Sequence, residues 1–387
     1  MNRDFIPYGR QFIDQKDIDA VVEVLRSDWL TTGPLVDKFE KAVAGFVGTD
    51  FGIAVSSGTA ALHTAMYSIG VGPGDEIIVP TITFAATANA VVMQGGTPVF
   101  ADVTPHNLLI DPSDVEKRIT ARTKAIVPVD YAGHPADYDS LQAISEKYGL
   151  KLIADACHSF GAEYKGKHSG KLADISIFSF HPVKHITTGE GGMLVTDNPE
   201  YAQKARIFRN HGITSDFYQR AEKNSWFYEM TELGYNYRLT DIQCALGLSQ
   251  LEKLPLFLTR RREIAKRYDS SFRNSDKLTL LKVAPEVSHA YHIYVIVLNL
   301  ENLTVDRSIV FSDLRKRGIG VNAHYIPVHL HPYYRKNFNT KLGDCPTAEA
   351  VYERIISIPI FPAMSDENIQ TVINEVLEVL NGYGIDA

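Results

Sequence analysis

One lysine in this chain follows a buried stretch closely enough to do chemistry. Ile175, Ile177, Phe178 and Phe180 read as a short apolar strand, His181-Pro182 ends it, and Lys184 comes four residues past Phe180. Gly189, Gly191 and Gly192 follow. An ammonium just beyond a buried strand end loses solvation and becomes easier to deprotonate. The neutral amine can then form a Schiff base with a carbonyl. Pro182 stops the strand, and the glycines let the backbone pass close to a bound group. A lysine in a loop is more often an ordinary surface side chain, and only its companions mark this one out.

Four companions point to one kind of ligand. Ser56-Ser57-Gly58-Thr59 joins a strand to a helix, and a helix N-terminus with small residues offers free N–H groups to a phosphate; the plainer role is an N-cap by Ser57 or Thr59. Asp155 ends the apolar strand Leu152-Ile153-Ala154. A carboxylate there needs a positive partner or hydrogen bonds, unless it caps a turn. Ser179 is a hydroxyl inside an apolar strand, able to reach a phosphate or merely to bond nearby backbone. Phe84 lies on a strand-to-helix turn among small residues, where its ring could stack on a ligand or pack in the core. Pyridoxal 5'-phosphate (PLP) unites these needs. It has a carbonyl for Lys184, a protonated ring nitrogen for Asp155 and a phosphate for Gly58, Thr59 and Ser179.

The elements that must position these residues alternate. Short apolar runs occur at 52–55, 76–79, 98–102, 124–129, 150–155, 175–180 and 193–196, with helical patterns between most of them, such as Tyr138 to Tyr148. This predicts an α/β fold with a mostly parallel sheet covered on both faces, and a ligand beyond the strands' carboxyl ends. Residues 239–270 read as helix interrupted at Pro255. Beyond it a smaller α+β unit is expected, with a strand at 293–298 and helices at 308–316, 348–356 and 367–380. The division is therefore 1–254, with an N-terminal arm, and 255–387.

A length of 387 residues suits two domains. With 45% hydrophobic and 22% charged residues and a net charge of −7, the composition argues against a nucleic-acid or membrane partner. The first residues carry no signal-like apolar core, and three scattered cysteines (Cys157, Cys244, Cys345) read as free thiols, so a cytoplasmic location is expected.

The motifs, taken together, resemble the DegT/DnrJ/EryC1/StrS family of PLP-dependent sugar aminotransferases. SSGTAALH from Ser56, TFAATANA from Thr83, LIADACHSFGAEYKGK from Leu152, FSFHPVK from Phe178, RNHGI from Arg209 and LGYNYRLTDIQCALGLSQL from Leu233 carry the likeness over nearly the whole chain. The resemblance implies a fold-type I (aspartate aminotransferase-like) architecture. It implies that Lys184 holds PLP and shuttles protons, Asp155 pairs with the ring nitrogen, Phe84 stacks on the ring, and Gly58, Thr59 and Ser179 bind the phosphate. His158 is similar to the residue at the ring hydroxyl. Asn236 would reach the phosphate in the neighbouring subunit, which implies a homodimer with shared sites. L-Glutamate would be the amino donor. VDYAGHPADY from Val129 and AHYIPVHLHPYY from Ala323 resemble the branch acting on a UDP-linked 4-keto-6-deoxy sugar toward pseudaminic acid; dTDP- or GDP-linked sugars, and a PLP protein without turnover, remain open. The loops around Thr31, Tyr218 and His324 would choose among sugars.

Other groups speak less distinctly. His324, His329 and His331 crowd one segment, but without a partner carboxylate or cysteine at metal spacing no metal is expected. By resemblance His324, Tyr325 and His329 contact the sugar. Arg238 meets either an anion of the substrate or an interface acid. Arg260-Arg261-Arg262 reads as the solvated face of a helix. Glu163 and Glu190 stand near the proposed site without an assigned role.

Overall fold

The computed structural model describes residues 5–214 and 224–385. Seven short apolar runs become the strands of one sheet: β1 (Phe51–Val55), β2 (Glu76–Pro80), β3 (Thr97–Ala101), β4 (Thr123–Ile126), β5 (Lys151–Asp155), β6 (Ile175–Ser179) and β7 (Gly192–Thr196). Their order is β1-β7-β6-β5-β4-β2-β3. The neighbours from β6 to β3 pair in parallel, and β7 runs antiparallel to both β6 and β1. The mostly parallel sheet is thus as expected.

Such strands are apolar on both faces because both faces are covered. Ile77 and Val79 enter one core and Ile78 the other; Ile53 and Val55 oppose Ala54 in the same way. Helices α1 (Gln15–Leu25), α2 (Pro34–Val47), α3 (Gly58–Ser68) and α4 (Ala86–Met93) precede or connect the first strands. The crossovers leave the carboxyl ends of β1, β5 and β6 on one edge of the layer, with the starts of α3 and α4 beside them.

Helix α5 (Asp241–Phe272) is continuous through Pro255, where an interruption is expected from the sequence. Pro255 sits on the exposed face, so water can satisfy the carbonyl its missing N–H leaves behind. The expected domain boundary therefore falls inside a helix. Cys244, Leu254 and Leu258 pack into the core of the large sheet, and Ile264, Tyr268 and Phe272 into a C-terminal core. That second core covers an antiparallel sheet of β8 (Leu278–Leu280), β9 (Tyr294–Leu298) and β10 (Ile355–Ile358).

Two further details depart from the sequence pattern. The helix expected at 348–356 is Pro346–Tyr352, and the Ile355–Ile358 run is strand. Its β-branched side chains suit the middle of a pleated sheet better than a helix end. The N-terminal arm lies on the C-terminal unit: Ile6 donates to Gly318 O at 2.9 Å, accepts from Gly320 N at 2.7 Å, and its side chain joins the C-terminal core. Among the described residues no helix is long and apolar enough to cross a membrane.

Candidate active site

The turn from β1 into α3 and the loop from β6 to β7 meet at the strands' carboxyl ends. Ser57 caps α3, its Oγ accepting from Ala60 N at 3.1 Å, which leaves the N–H groups of Gly58 and Thr59 outside the helix ladder. A Cβ on Gly58 would lie 2.9 Å from Ser179 Cβ, 3.2 Å from Ser179 Oγ and 3.3 Å from Cys157 Sγ. A Cβ on Gly192 would run into the Ser57 carbonyl. Both glycines are there so that three backbone segments can converge. The β6–β7 loop is closed by Phe180 N to Gly191 O at 2.9 Å and Thr188 N to Phe180 O at 3.0 Å, with a turn at Lys184 N to His181 O of 2.9 Å.

Lys184 is partly buried, and its Nζ lies 3.4 Å from His292 Nε2. Desolvation lowers its pKa from the ordinary lysine value, and the nearby Cys157 and Asp155 oppose the shift without reversing it. Asp155 is buried. Its Oδ2 accepts from Thr87 Oγ1 at 2.7 Å, and Thr87 in turn pairs with Thr83 Oγ1 at 2.7 Å. Cys157 N donates to Oδ1 at 3.3 Å. A buried carboxylate with neutral donors only still favours a cation.

His158 is buried, with Nε2 3.1 Å from Tyr325 OH and, among the described residues, no partner for Nδ1. Burial, then the charge of Lys184, hold its pKa well below the histidine range, so the ring is neutral. His324 is buried against Ser357 Oγ at 2.8 Å, and burial takes its pKa to about 4. Tyr131 OH donates to the His324 carbonyl. Phe84, at the entry to α4, is 61% exposed with its ring 6.1 Å from that of Tyr325. A phenylalanine this exposed does not fill a core, and its ring face is open to a ligand.

The structure brings Gly58, Thr59, Phe84, Asp155, His158, Ser179, Lys184, His324 and Tyr325 to one edge of the fold. The rest stand apart. His329 is fully buried, with Nδ1 at 2.5 Å from Thr81 Oγ1 and Nε2 at 2.8 Å from Glu349 Oε1. Both ring nitrogens are taken up inside the protein, so the expected sugar contact gives way to a packing role. Asn236 and Thr31 are exposed, each in a backbone bridge, to Asn210 and Thr240 respectively. Arg238 Nη1 donates to Asn210 Oδ1 at 2.8 Å. Glu190 is exposed and Glu163 lies in a short surface strand. Tyr218 lies outside the described residues. Arg261 corrects the expectation of a solvated arginine run: it is 1% exposed, and its Nη1 donates to the carbonyls of Tyr291, His292 and Ile360 at 3.0, 3.2 and 3.0 Å.

Sequence reasoning missed Thr87, Cys157 and His292. Thr87 stands inside the quoted TFAATANA motif, so a hydroxyl one helical turn past Phe84 was available as a signal. His292 had none beyond being a histidine before a strand. A cleft of about 570 Å³ between Tyr131, Phe272 and Tyr291 holds none of the expected site residues.

Four features describe what this edge can hold. They are, among the described residues, a buried carboxylate with no direct ion pair, an unpartnered imidazole nitrogen, an exposed ring, and a glycine cradle with free N–H groups and a serine hydroxyl. A flat heterocycle with a protonated nitrogen, a ring hydroxyl and a phosphate satisfies all of them, and Lys184 stands ready for its carbonyl.

Residues 11–377 match the DegT/DnrJ/EryC1/StrS aminotransferase family. The spore coat polysaccharide biosynthesis protein SpsC of Bacillus subtilis (strain 168) is 42% identical over 380 residues, covering 98% of each chain. Helicobacter pylori PseC, an aminotransferase involved in the biosynthesis of pseudoaminic acid, superposes with a TM-score of 0.92 at 36% identity, over 98% of this chain and 100% of that one. Spr1654 from Streptococcus pneumoniae in its PLP form gives 0.91 at 33% identity, over 98% and 99%.

Proposed function

The chain belongs to the DegT/DnrJ/EryC1/StrS aminotransferase family, and we propose that it uses PLP to move an amino group from L-glutamate to the C4 ketone of a nucleotide-linked 4-keto-6-deoxy sugar. The substrate we favour is UDP-2-acetamido-2,6-dideoxy-β-L-arabino-hex-4-ulose, on the route to pseudaminic acid. The observation that carries the reading is that Lys184, whose burial makes its ammonium easier to deprotonate, lies near enough to the buried carboxylate of Asp155 to feel its charge. The likeness to PseC supports the choice of sugar.

PLP, when bound, supplies a carbonyl that amines can condense with and a ring that accepts electron density. Lys184 Nζ would hold that carbonyl. As a free amine, Nζ would serve as the base and acid that moves the proton between the donor's α-carbon and the receiving end, which requires its neutral form near neutral pH. Thr87 orients the Asp155 carboxylate, which keeps a proton on the ring nitrogen. His158 Nδ1 is free to bond the ring hydroxyl. Gly58, Thr59 and Ser179 hold the phosphate, and Phe84 covers the ring. His324 and Tyr325 would border the sugar, and Arg238 and Thr31, which stand apart from this group, would meet only the remainder of a long nucleotide-sugar substrate.

The working unit in this reading is a homodimer in which Asn236 completes the partner's phosphate site. Asn236 is exposed in a segment that also exposes Trp226, Met230 and Leu233 by 86%, 66% and 73%, an apolar surface suited to a second copy.

Visible absorption of the PLP-loaded protein tests the reading. The band of the lysine-bound cofactor should bleach on adding L-glutamate and return on adding the UDP-keto sugar, with a UDP-amino sugar in the products. A band indifferent to glutamate removes the donor, and absence of any band removes the enzyme. A band restored only by a dTDP- or GDP-linked sugar removes the UDP substrate alone.

A further inference from the structure

Among the described residues His292 is the only side chain that Lys184 Nζ bonds, at 3.4 Å from Nε2. His292 is 5% exposed and its Nδ1 is buried with no partner. Its backbone is fixed from behind. The N–H donates to Ala132 O at 2.9 Å, and the carbonyl accepts from the buried Arg261. The ring packs 4.3 Å from that of His158. An imidazole held this way adds nothing to the fold that an apolar side chain of its size would not supply, and its unpartnered nitrogen costs stability. What it has in return is the lysine.

We infer that His292 is a positioning residue for the free Lys184 amine: whenever the lysine is not joined to the cofactor, His292 Nε2 accepts a hydrogen from Nζ and keeps the nitrogen beside the reacting atoms. This rests on the role given to Lys184 above. Burial, with the Lys184 charge second, holds the His292 pKa well below the usual range, so the ring is a neutral acceptor. Asp155, Cys157, His158, His185 and His324 face the lysine, and Arg261 stands behind His292. An acceptor favours the charged form of the amine, so its loss lowers the lysine pKa further.

The test reads cofactor attachment, not turnover. Apoprotein is mixed with PLP across a pH series, and the rate of appearance of the visible band gives the midpoint at which Lys184 becomes neutral. In His292→Leu the midpoint should fall by about one pH unit, and the limiting rate at high pH should fall roughly tenfold as the amine loses its orientation. His292→Gln, whose amide oxygen can accept, should restore both. A structural role alone would lower stability and leave the midpoint in place, so an unmoved midpoint in a folded Leu variant overturns the inference. Should that variant not fold, wild-type protein labelled with ¹⁵N-histidine decides. The His292 Nε2 resonance should move as PLP takes up the amine, and a fixed resonance overturns the inference. A wild-type protein with no band at any pH would instead remove the reading of Lys184 itself.

Discussion

Replacing Gly58 with alanine separates what the β1–α3 turn does for the fold from what it does for the phosphate. Gly58 opens α3, so alanine there recovers at most about 1 kcal/mol of helix propensity. Against this, the new Cβ would lie 2.9 Å from Ser179 Cβ and 3.3 Å from Cys157 Sγ. Overpacking of that kind costs roughly 1–3 kcal/mol as the neighbour gives way. The gain offsets only part of the cost and leaves a loss of up to about 2 kcal/mol, so the apoprotein's melting temperature should drop by no more than about 2–4 °C for each kcal/mol left over. The ligand has no such compensation. A displaced Ser179 hydroxyl loses a charge-assisted bond to phosphate worth about 1.5–3 kcal/mol, which is roughly 10- to 100-fold in affinity. Equilibrium titration of the apoprotein with PLP, run beside thermal unfolding of the same sample, measures both. Unchanged PLP affinity in a folded Gly58→Ala protein would mean that the phosphate is not seated at this turn.

Three other perturbations probe the remaining assignments. His324 has a folded pKa of about 4 against an ordinary histidine value near 6.5, so between these pH values the unfolded chain binds a proton that the folded one refuses. Its stability contribution is therefore lost as pH falls through that window, by about 2 kcal/mol between pH 7 and pH 5. Urea midpoints should show a shallower pH dependence in His324→Gln, and identical slopes would refute the linkage. His329→Leu strips a buried partner from Glu349, which keeps its bond from Gly343 N at 2.9 Å. A loss of roughly 2–3 kcal/mol with an unchanged KM for the sugar is expected, whereas a raised KM at full stability would return His329 to the substrate. Lys184→Ala and Asn236→Ala proteins, each inactive or cofactor-poor alone, should regain activity when mixed and allowed to exchange subunits, because one site per hybrid would then hold both residues. No recovery from mixed, exchanged subunits would place Asn236 in its own subunit's site.

The residues legible in the sequence share one property: their role is set by what lies next to them in the chain. Lys184, Asp155 and Ser179 each follow or end an apolar strand, and Gly58 starts a helix straight after one, so local pattern alone puts them at strand ends. The misread residues are those whose role is set by something distant. Arg261 looks no different from its half-buried neighbours in an arginine run, and only the return of the chain at 291–292 and 360 buries it fully. His329 shares a segment with His324, but one faces the pocket residues and the other is closed in by Thr81 and Glu349. Pro255 suggests a break because sequence does not reveal which face of α5 is wet. The same division runs through the site. Lys184, Asp155, Ser179 and Gly58 come from strand ends, but the side chains that bond the site's polar groups come from elsewhere: Thr87 from α4 for Asp155, His292 from the approach to β9 for Lys184, and Tyr325 from the C-terminal unit for His158. In the proposed reading the C-terminal unit is therefore part of the site itself, and the chemistry proposed for Lys184 depends on its seating against the large sheet. A perturbation there, such as Arg261→Met, should disturb Lys184 through His292 although it touches neither the lysine nor the ligand.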